Sequence, residues 1–467
     1  MPSGNVAGRD VGRAHILYLT REPFPFEIDS LMLAFRHPFL IAALFLPAVL
    51  LSSLPAEAIP AFARRYQTSC STCHVHYPRL NAVGDAFRRR GYQFARDDLM
   101  QHSPPPITLV AEGHREMWPA SDWPADLAPV PAISLVVFGG VPVYPDDEVR
   151  PEGEAVVSFD RLFRGASLVG AARLGDNVAL YASVSLAPKE TAGVGRGFVV
   201  ISDLAFGPAL TLRIGQMEPQ VASFSSTRRS GGPVYRLLSD APPSVRWALE
   251  PLFRGLTVSG IFGGGAFAGR FGYDVGYGQG LLTSSLGEPL RQIPRDGYAH
   301  LHTKLGGLRL DGVEEPTAAG KETSLMLGAF AYSGRHRLDR RVKMGDPKFE
   351  EDARFFKAGL DADARLGAVE VIVAFAVERH ELDTQADLAR QQGLAEVSYA
   401  VFPWLTATTR VEADFGLGYP RRRLLPILTV TPRMNLKTSV YATIEEDGSL
   451  DDAVHLSEVN LGASCAF

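Results

Sequence analysis

The chain has 467 residues, with 47 basic and 52 acidic side chains and a formal net charge of -5. This near balance gives no reason to expect nucleic acid as a partner, and three cysteines are too few for a disulfide framework. Mean hydropathy is close to zero, which is not typical of a helical membrane protein. It is compatible with a β-barrel, because each barrel strand shows only one face to lipid.

Residues 1–58 are predicted to be an upstream extension followed by an export signal. Residues 39–53 form an apolar run of signal-peptide length, and small residues just after it predict cleavage behind Ala58. Met32 lies shortly before this run and is a more natural start than Met1. A transmembrane anchor is the alternative, but the run is short and contains Pro47.

The stretch Cys70-Ser71-Thr72-Cys73-His74 has the spacing of a c-type haem attachment site. The two thiols would bond covalently to one haem, and His74 would be the proximal axial ligand of the iron. A zinc half-site would need a second Cys/His pair, and Cys465 stands alone at the far end of the chain. A thioredoxin-like dithiol pair would need alternating strands and helices around it, and that pattern is missing.

A small α-helical domain over residues 59–104 is expected to carry this single haem c, and a linker or plug follows over 105–130. Asn81 predicts a helix N-cap and Gly91 a helix end. Between them runs an apolar stripe that could cover one porphyrin face or pack on any neighbour. The stripe consists of Leu80, Val83 and Phe87.

The basic run 88–90 at the end of this helix is expected to be solvated, with pairing to haem propionates as the alternative. The distal haem ligand is not fixed by a motif. Methionine and histidine both serve in that role, and we take Met100 or His102 as the expected ligand. Further candidates are His114 and Met117.

From residue 131 to 467 a period of two dominates, which predicts an antiparallel transmembrane barrel of about sixteen strands. Connections alternate between short turns and long polar loops, as in outer-membrane barrels. One connection, 307–322, is long although it falls where a short turn is expected. The last strand ends in Phe467. Clear alternation covers 178–186, 354–366, 404–415 and 434–444, and long loops are expected at 218–253, 279–296, 334–353, 380–393 and 445–453.

One predicted strand carries chemically distinctive side chains on its lumenal face. We interpret them as ordinary lining of a polar lumen, and the alternative is a contact to a metal or to haem. They are Tyr298, His300, His302 and Lys304.

The sequence resembles a family of fused outer-membrane cytochrome–porins, which has iron-oxidising members. The resemblance rests on about 35 residues around the haem motif, and over the barrel it is one of architecture. The matching residues are Phe62-Ala63-Arg64, Cys70 to His74, Pro78, Leu80-Asn81, Gly84, Phe87 and Gly91-Tyr92. Only Cys70, Cys73 and His74 carry over as functional residues.

The resemblance implies a protein of the Gram-negative outer membrane, in contact with its lipid, whose haem lies in or near the barrel. It implies single-electron transfer from an extracellular donor, Fe(II) in iron-oxidising members, to a periplasmic c-type cytochrome or another soluble carrier. Such a protein could be an Fe(II):cytochrome c oxidoreductase. The alternatives are a solute porin with a structural or plugging haem, and outward transfer to an external acceptor.

Overall fold

The chain is described from a computed structural model, and every described residue belongs to one compact unit, Glu57–Phe467. The predicted signal segment, Met100, His102, His114 and Phe467 lie outside the described residues. The described residues are 61–66, 68–76, 78–94, 107–108, 116–117, 126–127, 132–145, 156–174, 177–186, 193–205, 207–240, 252–280, 296–313, 322–340, 349–382, 387–416, 421–433, 435–447 and 454–466.

The amino-terminal segment (residues 61–94) is built from two short helices and a small hairpin. Helix α1 spans Ala61–Tyr66, and a 3-10 turn spans Cys70–Thr72. Strand β1 (His74–His76) pairs antiparallel with β2 (Arg79–Leu80).

Helix α2, Ala82–Arg89, completes the segment, and both of its predicted ends are confirmed. The side chain of Asn81 caps the helix by accepting a hydrogen bond from the amide of Gly84 (2.9 Å). Gly91 follows the last turn with φ of +69°, the left-handed conformation that glycine adopts without strain. A two-residue pair, β3 (Ile107–Thr108) with β4 (Asp126–Leu127), lies between the segment and the barrel.

Sixteen antiparallel strands close into a barrel, because the last strand, β21, pairs with the first, β5. A two-residue strand, β6 (Val156–Val157), extends the pairing at one end of β5. The sixteen are β5 Ala132–Tyr144, β7 Gly165–Arg173, β8 Val178–Leu186, β9 Gly193–Ile201, β10 Thr211–Met217, β11 Phe253–Phe262, β12 Phe271–Gly280, β13 Asp296–Gly306, β14 Thr323–Arg340, β15 Phe349–Leu366, β16 Val369–Leu382, β17 Leu388–Phe402, β18 Leu405–Phe415, β19 Arg421–Arg433, β20 Leu436–Asp447 and β21 Val454–Ala466.

The alternation in each strand separates an apolar exterior from a polar lumen. On β15, Phe356 and Leu360 are 49% and 64% exposed on the outer face, whereas Lys357 and Asp361 are 1% and 4% exposed inside. No helix in the described part of the chain is long and apolar enough to cross a membrane. A closed antiparallel barrel with an apolar outside is the form in which strands cross the outer membrane of Gram-negative bacteria, and this protein is such a barrel.

The connection 307–322, which looked too long for its place, packs against the amino-terminal segment. Its described part buries Leu308 and Leu310, both less than 8% exposed. Gly312 has φ of +68°, and a Cβ there would lie 2.5 Å from Cβ of Ala86 in α2. The extra length therefore forms a contact surface for α2.

An inward-folded loop (residues 218–240) enters the lumen after β10, whereas its sequence predicts one of the long loops at one barrel end. The guanidinium of Arg410, on β18, donates to the carbonyls of Pro233 (2.7 Å) and Gly231 (3.1 Å). Lys357 Nζ donates to a further carbonyl of this loop (2.7 Å). Cationic side chains of the wall thus hold the loop by its backbone.

We expect Arg410→Ala to release the inward-folded loop. Arg410 is fully buried, and its Nε also lies 2.7 Å from Oε2 of Glu396. Removing one partner of a buried ion pair costs about 3–5 kcal/mol, because the carboxylate stays behind without compensation. Limited proteolysis in detergent should show faster cleavage within 218–240 while the barrel remains intact.

The matched control is Arg379→Ala, because the side chain of Arg379 is 61% exposed and pairs with that of Asp387, which is 45% exposed. Exposed pairs contribute little to stability, so this variant should digest like the parent protein. Equal cleavage rates in the Arg410 variant and the parent would show that Arg410 does not hold the loop.

Candidate cofactor site

The three residues of the predicted haem motif lie on one cleft in the amino-terminal segment. Cys70, Cys73 and His74 all line it, and the cleft contains about 780 Å³ of space between protein atoms, its open mouth included. The remaining lining consists of Phe62, Ala63, Tyr66, Thr68, Ser69, Leu80, Gly84, Phe87, Arg88, Tyr92 and Phe94.

Helix α2 is held directly against the turn that carries the cysteines. A Cβ on Gly84 would lie 2.1 Å from the carbonyl oxygen of Cys73, so only glycine permits this approach. The amide of Asn81 donates to the same carbonyl (2.9 Å), and its side-chain Nδ2 donates to the carbonyl of Thr72 (2.9 Å). The cap of α2 therefore also fixes the cysteine-bearing turn.

The imidazole of His74 is only partly exposed in the cleft, and its desolvation sets its protonation state. Burial lowers the pKa of His74 to about 4, and hydrogen bonding to the backbone of Arg79 and Pro78 opposes the shift. The imidazole is therefore neutral at pH 7, which is the form that binds a metal ion. A backbone contact to the ring is also what commonly orients a metal-ligating histidine.

The two cysteines of the cleft are free thiols in an apolar setting. Burial raises the pKa of the Cys73 thiol to about 12, with a further contribution from Cys70. A dithiol exchange site needs a lowered thiol pKa, so this environment argues against that alternative. Cys465 lies in the barrel wall, paired with Val137, and is not part of the cleft.

Aromatic side chains form one wall of the cleft around Phe87. The ring of Phe87 lies 5.3 Å from Phe62, 5.5 Å from Tyr66 and 4.6 Å from Phe94, measured between centroids. Tyr92 stacks on Phe62 at 4.8 Å. An apolar, aromatic cleft with two thiols and a neutral imidazole fits the donor set and the shape of a covalently attached haem.

The predicted apolar stripe of α2 divides between two surfaces. Leu80 and Phe87 line the cleft, as the porphyrin-covering interpretation requires. Val83 packs instead with Ala82 and Leu308. Sequence periodicity identified the buried side of α2 but could not separate cleft lining from packing on the barrel.

The expectation that the basic run 88–90 is solvated was wrong. Arg89 Nη1 lies 3.0 Å from Oδ2 of Asp274 on β12, and Arg90 Nη2 lies 2.6 Å from Oδ2 of Asp203. Asp274 and Asp203 are 185 and 113 residues away from their arginines in sequence, but they lie next to α2 in the fold. The run is therefore an ionic anchor of the helix.

Arg79 is a second anchor of the amino-terminal segment. Its Nε lies 2.7 Å from Oε2 of Glu370, and its other nitrogens lie 3.6 Å from Asp363 and 3.5 Å from Glu396. The side chain is 7% exposed. No local pattern marks it, because all three partners belong to the barrel wall.

The distal-ligand expectation remains a prediction. Met100, His102 and His114 lie outside the described residues. Met117 is described and is 61% exposed. Among the described residues that line the cleft, none besides His74 carries an imidazole or a thioether.

Tyr298, His300, His302 and Lys304 of β13 share the inward face, as predicted, and they are buried there. His300 and His302 stack with their ring centroids 5.0 Å apart, and with Asp274 they offer ligand atoms that all lie within 4.8 Å of one another. Tyr298 joins the apolar cluster of the inward-folded loop, and Lys304 pairs with Glu322. Of these four side chains of β13, only His300 and His302 therefore remain candidates for binding a metal.

No protein-family model matches the chain, and no curated protein matches it. Similar solved structures include an anion-selective porin from Comamonas acidovorans (12% identity, 72% of this chain and 99% of that one, TM-score 0.49). Others are the trimer form of OmpT from Vibrio cholerae (11%, 72% and 99%, 0.48) and OprB from Pseudomonas putida (10%, 72% and 94%, 0.47). At this similarity they carry no argument about the cleft, and the barrel fold rests on the closed order of its own strands.

We expect Gly84→Ala to disrupt the cleft, because a Cβ cannot fit 2.1 Å from the Cys73 carbonyl. Helix α2 would have to move away from the cysteine-bearing turn. If the cleft carries the covalent haem predicted from the motif, haem staining of the denatured band, relative to total protein, should fall severalfold in the exported variant. Gly264→Ala is the control, since nothing lies within 4 Å of its Cβ position; equal staining of all three proteins would contradict the packing account.

We expect the docking of α2 to weaken in acid because of Asp85. Burial alone would raise the pKa of Asp85, but Arg88, Arg89 and Arg228 lower it well below its ordinary value. A depressed pKa stabilises the folded form fully above about pH 4. That stabilisation is lost as the pH falls further, because protonation removes the charge that the arginines share.

Near-ultraviolet circular dichroism of the aromatic cluster can follow this docking from pH 7 to pH 2. The parent protein should lose signal below about pH 4. Asp85→Asn should show a weaker signal already at pH 7 and a smaller acid-dependent change. Coincident curves for the two proteins would show that Asp85 does not couple docking to pH.

Proposed function

We propose that this chain is an outer-membrane cytochrome–porin that transfers single electrons between an extracellular donor, Fe(II), and a soluble carrier in the periplasm. The observation that carries the proposal is the meeting of Cys70, Cys73 and His74 on one apolar cleft next to the wall of a transmembrane barrel. A covalent haem c supplies one-electron redox chemistry when bound. In the overall reaction Fe(II) loses one electron to become Fe(III), and the periplasmic carrier gains that electron.

The residues of the cleft have separate tasks in this function. Cys70 and Cys73 would attach the cofactor through thioether bonds, and the neutral imidazole of His74 would ligate its iron. Phe87 and Tyr92 belong to the aromatic wall of the cleft and would shield a bound cofactor from water on that side. A dry, apolar surrounding is one of the means by which a protein sets the potential of such a site.

The anchoring contacts support a position near the periplasm. Helix α2 contacts Asp203, Leu308 and Gly312, which lie in connections between strands at one end of the barrel. Arg365, at the same end, donates to the carbonyl of Leu80 (3.1 Å). The shortest turns, such as that between β15 and β16, are at this end, and short turns face the periplasm in outer-membrane barrels.

A solute porin with a structural haem is the second candidate, and one cavity favours it. A space of about 790 Å³ beside Pro78, its open mouth included, is lined by several basic side chains, as a path for small anions would be. These are Arg161, Arg164, Arg229 and Lys437. Anion conductance in planar bilayers that persists with haem bound would favour this function over an electron conduit.

The direct test of the proposal is the double variant Cys70→Ala, Cys73→Ala. Without the thioether bonds, Fe(II)-dependent reduction of an added soluble cytochrome should fall to the uncatalysed rate. This rate is measured by mixing detergent-solubilised protein and the added cytochrome rapidly with Fe(II) and following the haem absorption. A haem potential well below that of the Fe(III)/Fe(II) couple would instead favour outward transfer to an external acceptor.

Cys465→Ala is the matched control, because Cys465 lies in β21 of the barrel wall. This variant should reduce the acceptor at the rate of the parent protein. The proposal fails if the double variant retains the full Fe(II)-dependent rate, because the cleft would then have no part in the reaction.

A further inference from the structure

We propose that Asp274, His300 and His302 form a binding site for a divalent first-row transition-metal cation in the barrel lumen. The site is separate from the haem cleft, and its ligands come from the adjacent strands β12 and β13. Metal binding as such does not depend on the proposed electron transfer. The assignment of Fe(II) as its natural cation does rest on that proposed function.

The three side chains converge on one point. Asp274 and His300 are directly opposite each other in the β12–β13 pairing, and His302 follows on the same face two residues later. One ligand atom from each lies within 4.8 Å of the others, so the three side chains are close enough to share a single cation. All three residues are less than 5% exposed.

His302 is the observation that points to a ligand. Its side chain is 4% exposed, and within the described residues neither ring nitrogen has a hydrogen-bond partner. Buried polar groups are nearly always paired, and leaving one unpaired costs about 1–3 kcal/mol. A cation bound at the ring would satisfy this requirement.

The neighbouring strands leave room for the imidazoles. Gly272, paired with His302, has its Cβ position 2.1 Å from Nε2 of that histidine. On the other side, a Cβ at Gly328 would lie 2.5 Å from Nε2 of His300 and 2.6 Å from Oδ1 of Asp361. Any larger residue at either glycine would displace a proposed ligand.

Asp361 supplies the supporting contact that metal-ligating histidines usually have. Its Oδ1 lies 3.2 Å from Nε2 of His300, and its Oδ2 accepts a hydrogen bond from the amide of Ser223 (3.0 Å). A carboxylate behind a histidine orients the ring and raises its basicity as a ligand. The inward-folded loop thus helps to position the site.

Two imidazoles and one carboxylate select among cations. Oxygen-rich sites suit Mg²⁺ and Ca²⁺, whereas two histidines with one carboxylate are the ligand set of non-haem Fe(II) and related ions. Asp274 also contacts Arg89 of α2, and Arg88, next in sequence, lines the haem cleft. A bound cation would therefore lie one helix away from the cleft that the proposed function uses.

The test uses Zn(II), which binds such ligands and cannot be oxidised or reduced under these conditions. Haem-loaded full-length protein in detergent is dialysed against Zn(II), and bound metal is measured by mass spectrometry. The parent protein should bind one equivalent of Zn(II). The His302→Gln variant should lack this Zn(II) or bind it at least about tenfold more weakly. Asp274→Asn should show the same loss, and it decides the question if the histidine variant does not fold.

The matched control is His380→Gln, which removes a fully buried lumenal imidazole outside the cluster. It should bind Zn(II) within about twofold of the parent. The Cys70→Ala, Cys73→Ala variant should also retain the equivalent, so failure of electron transfer would leave this result unchanged. Unaltered Zn(II) binding by folded Asp274 and His302 variants, or an equal loss in His380→Gln, would overturn the proposal.

Discussion

The compensation of buried charge between the amino-terminal segment and the barrel wall is the constraint on which the rest of the structure depends. Arg79 faces three wall carboxylates, Arg89 faces Asp274 of the wall, and Arg90 faces Asp203 in the connection between β9 and β10. Removing one partner of such a pair leaves an uncompensated charge, at a cost of about 3–5 kcal/mol. The segment alone is too short to bury a sufficient core, so these contacts to the lumen hold α2, and with it the cleft, in place.

The sequence predicts structure best where a residue's environment follows from a repeating pattern or from its immediate neighbours in the chain. Lipid outside and water or protein inside impose a period of two, and β8, Val178–Leu186, has the predicted bounds. The cap at Asn81 and the end at Gly91 are local hydrogen-bonding requirements, and they were predicted for that reason. The partners of Arg79 and the inward course of 218–240 were not, because their contacts join residues far apart in the chain and leave no periodic signal.

The same lumen that supports the segment would also insulate the proposed reaction. The inward-folded loop and α2 both occupy it, and the wall around them contributes ion pairs such as that of Arg410 with Glu396. Asp274 is shared between the anchor Arg89 and the proposed cation site. The charged residues that position α2 would then lie next to the site where the electron-donating cation binds.

The central claim is that electrons cross the membrane through this protein, and proteoliposomes test it most directly. The vesicles carry oxidised soluble cytochrome c inside and receive Fe(II) outside, and the absorbance of the trapped cytochrome is followed. The account predicts rapid reduction with the parent protein and only the background rate with the Cys70→Ala, Cys73→Ala barrel. Equal reduction by both would contradict it, because Fe(II) would then be entering through an open pore.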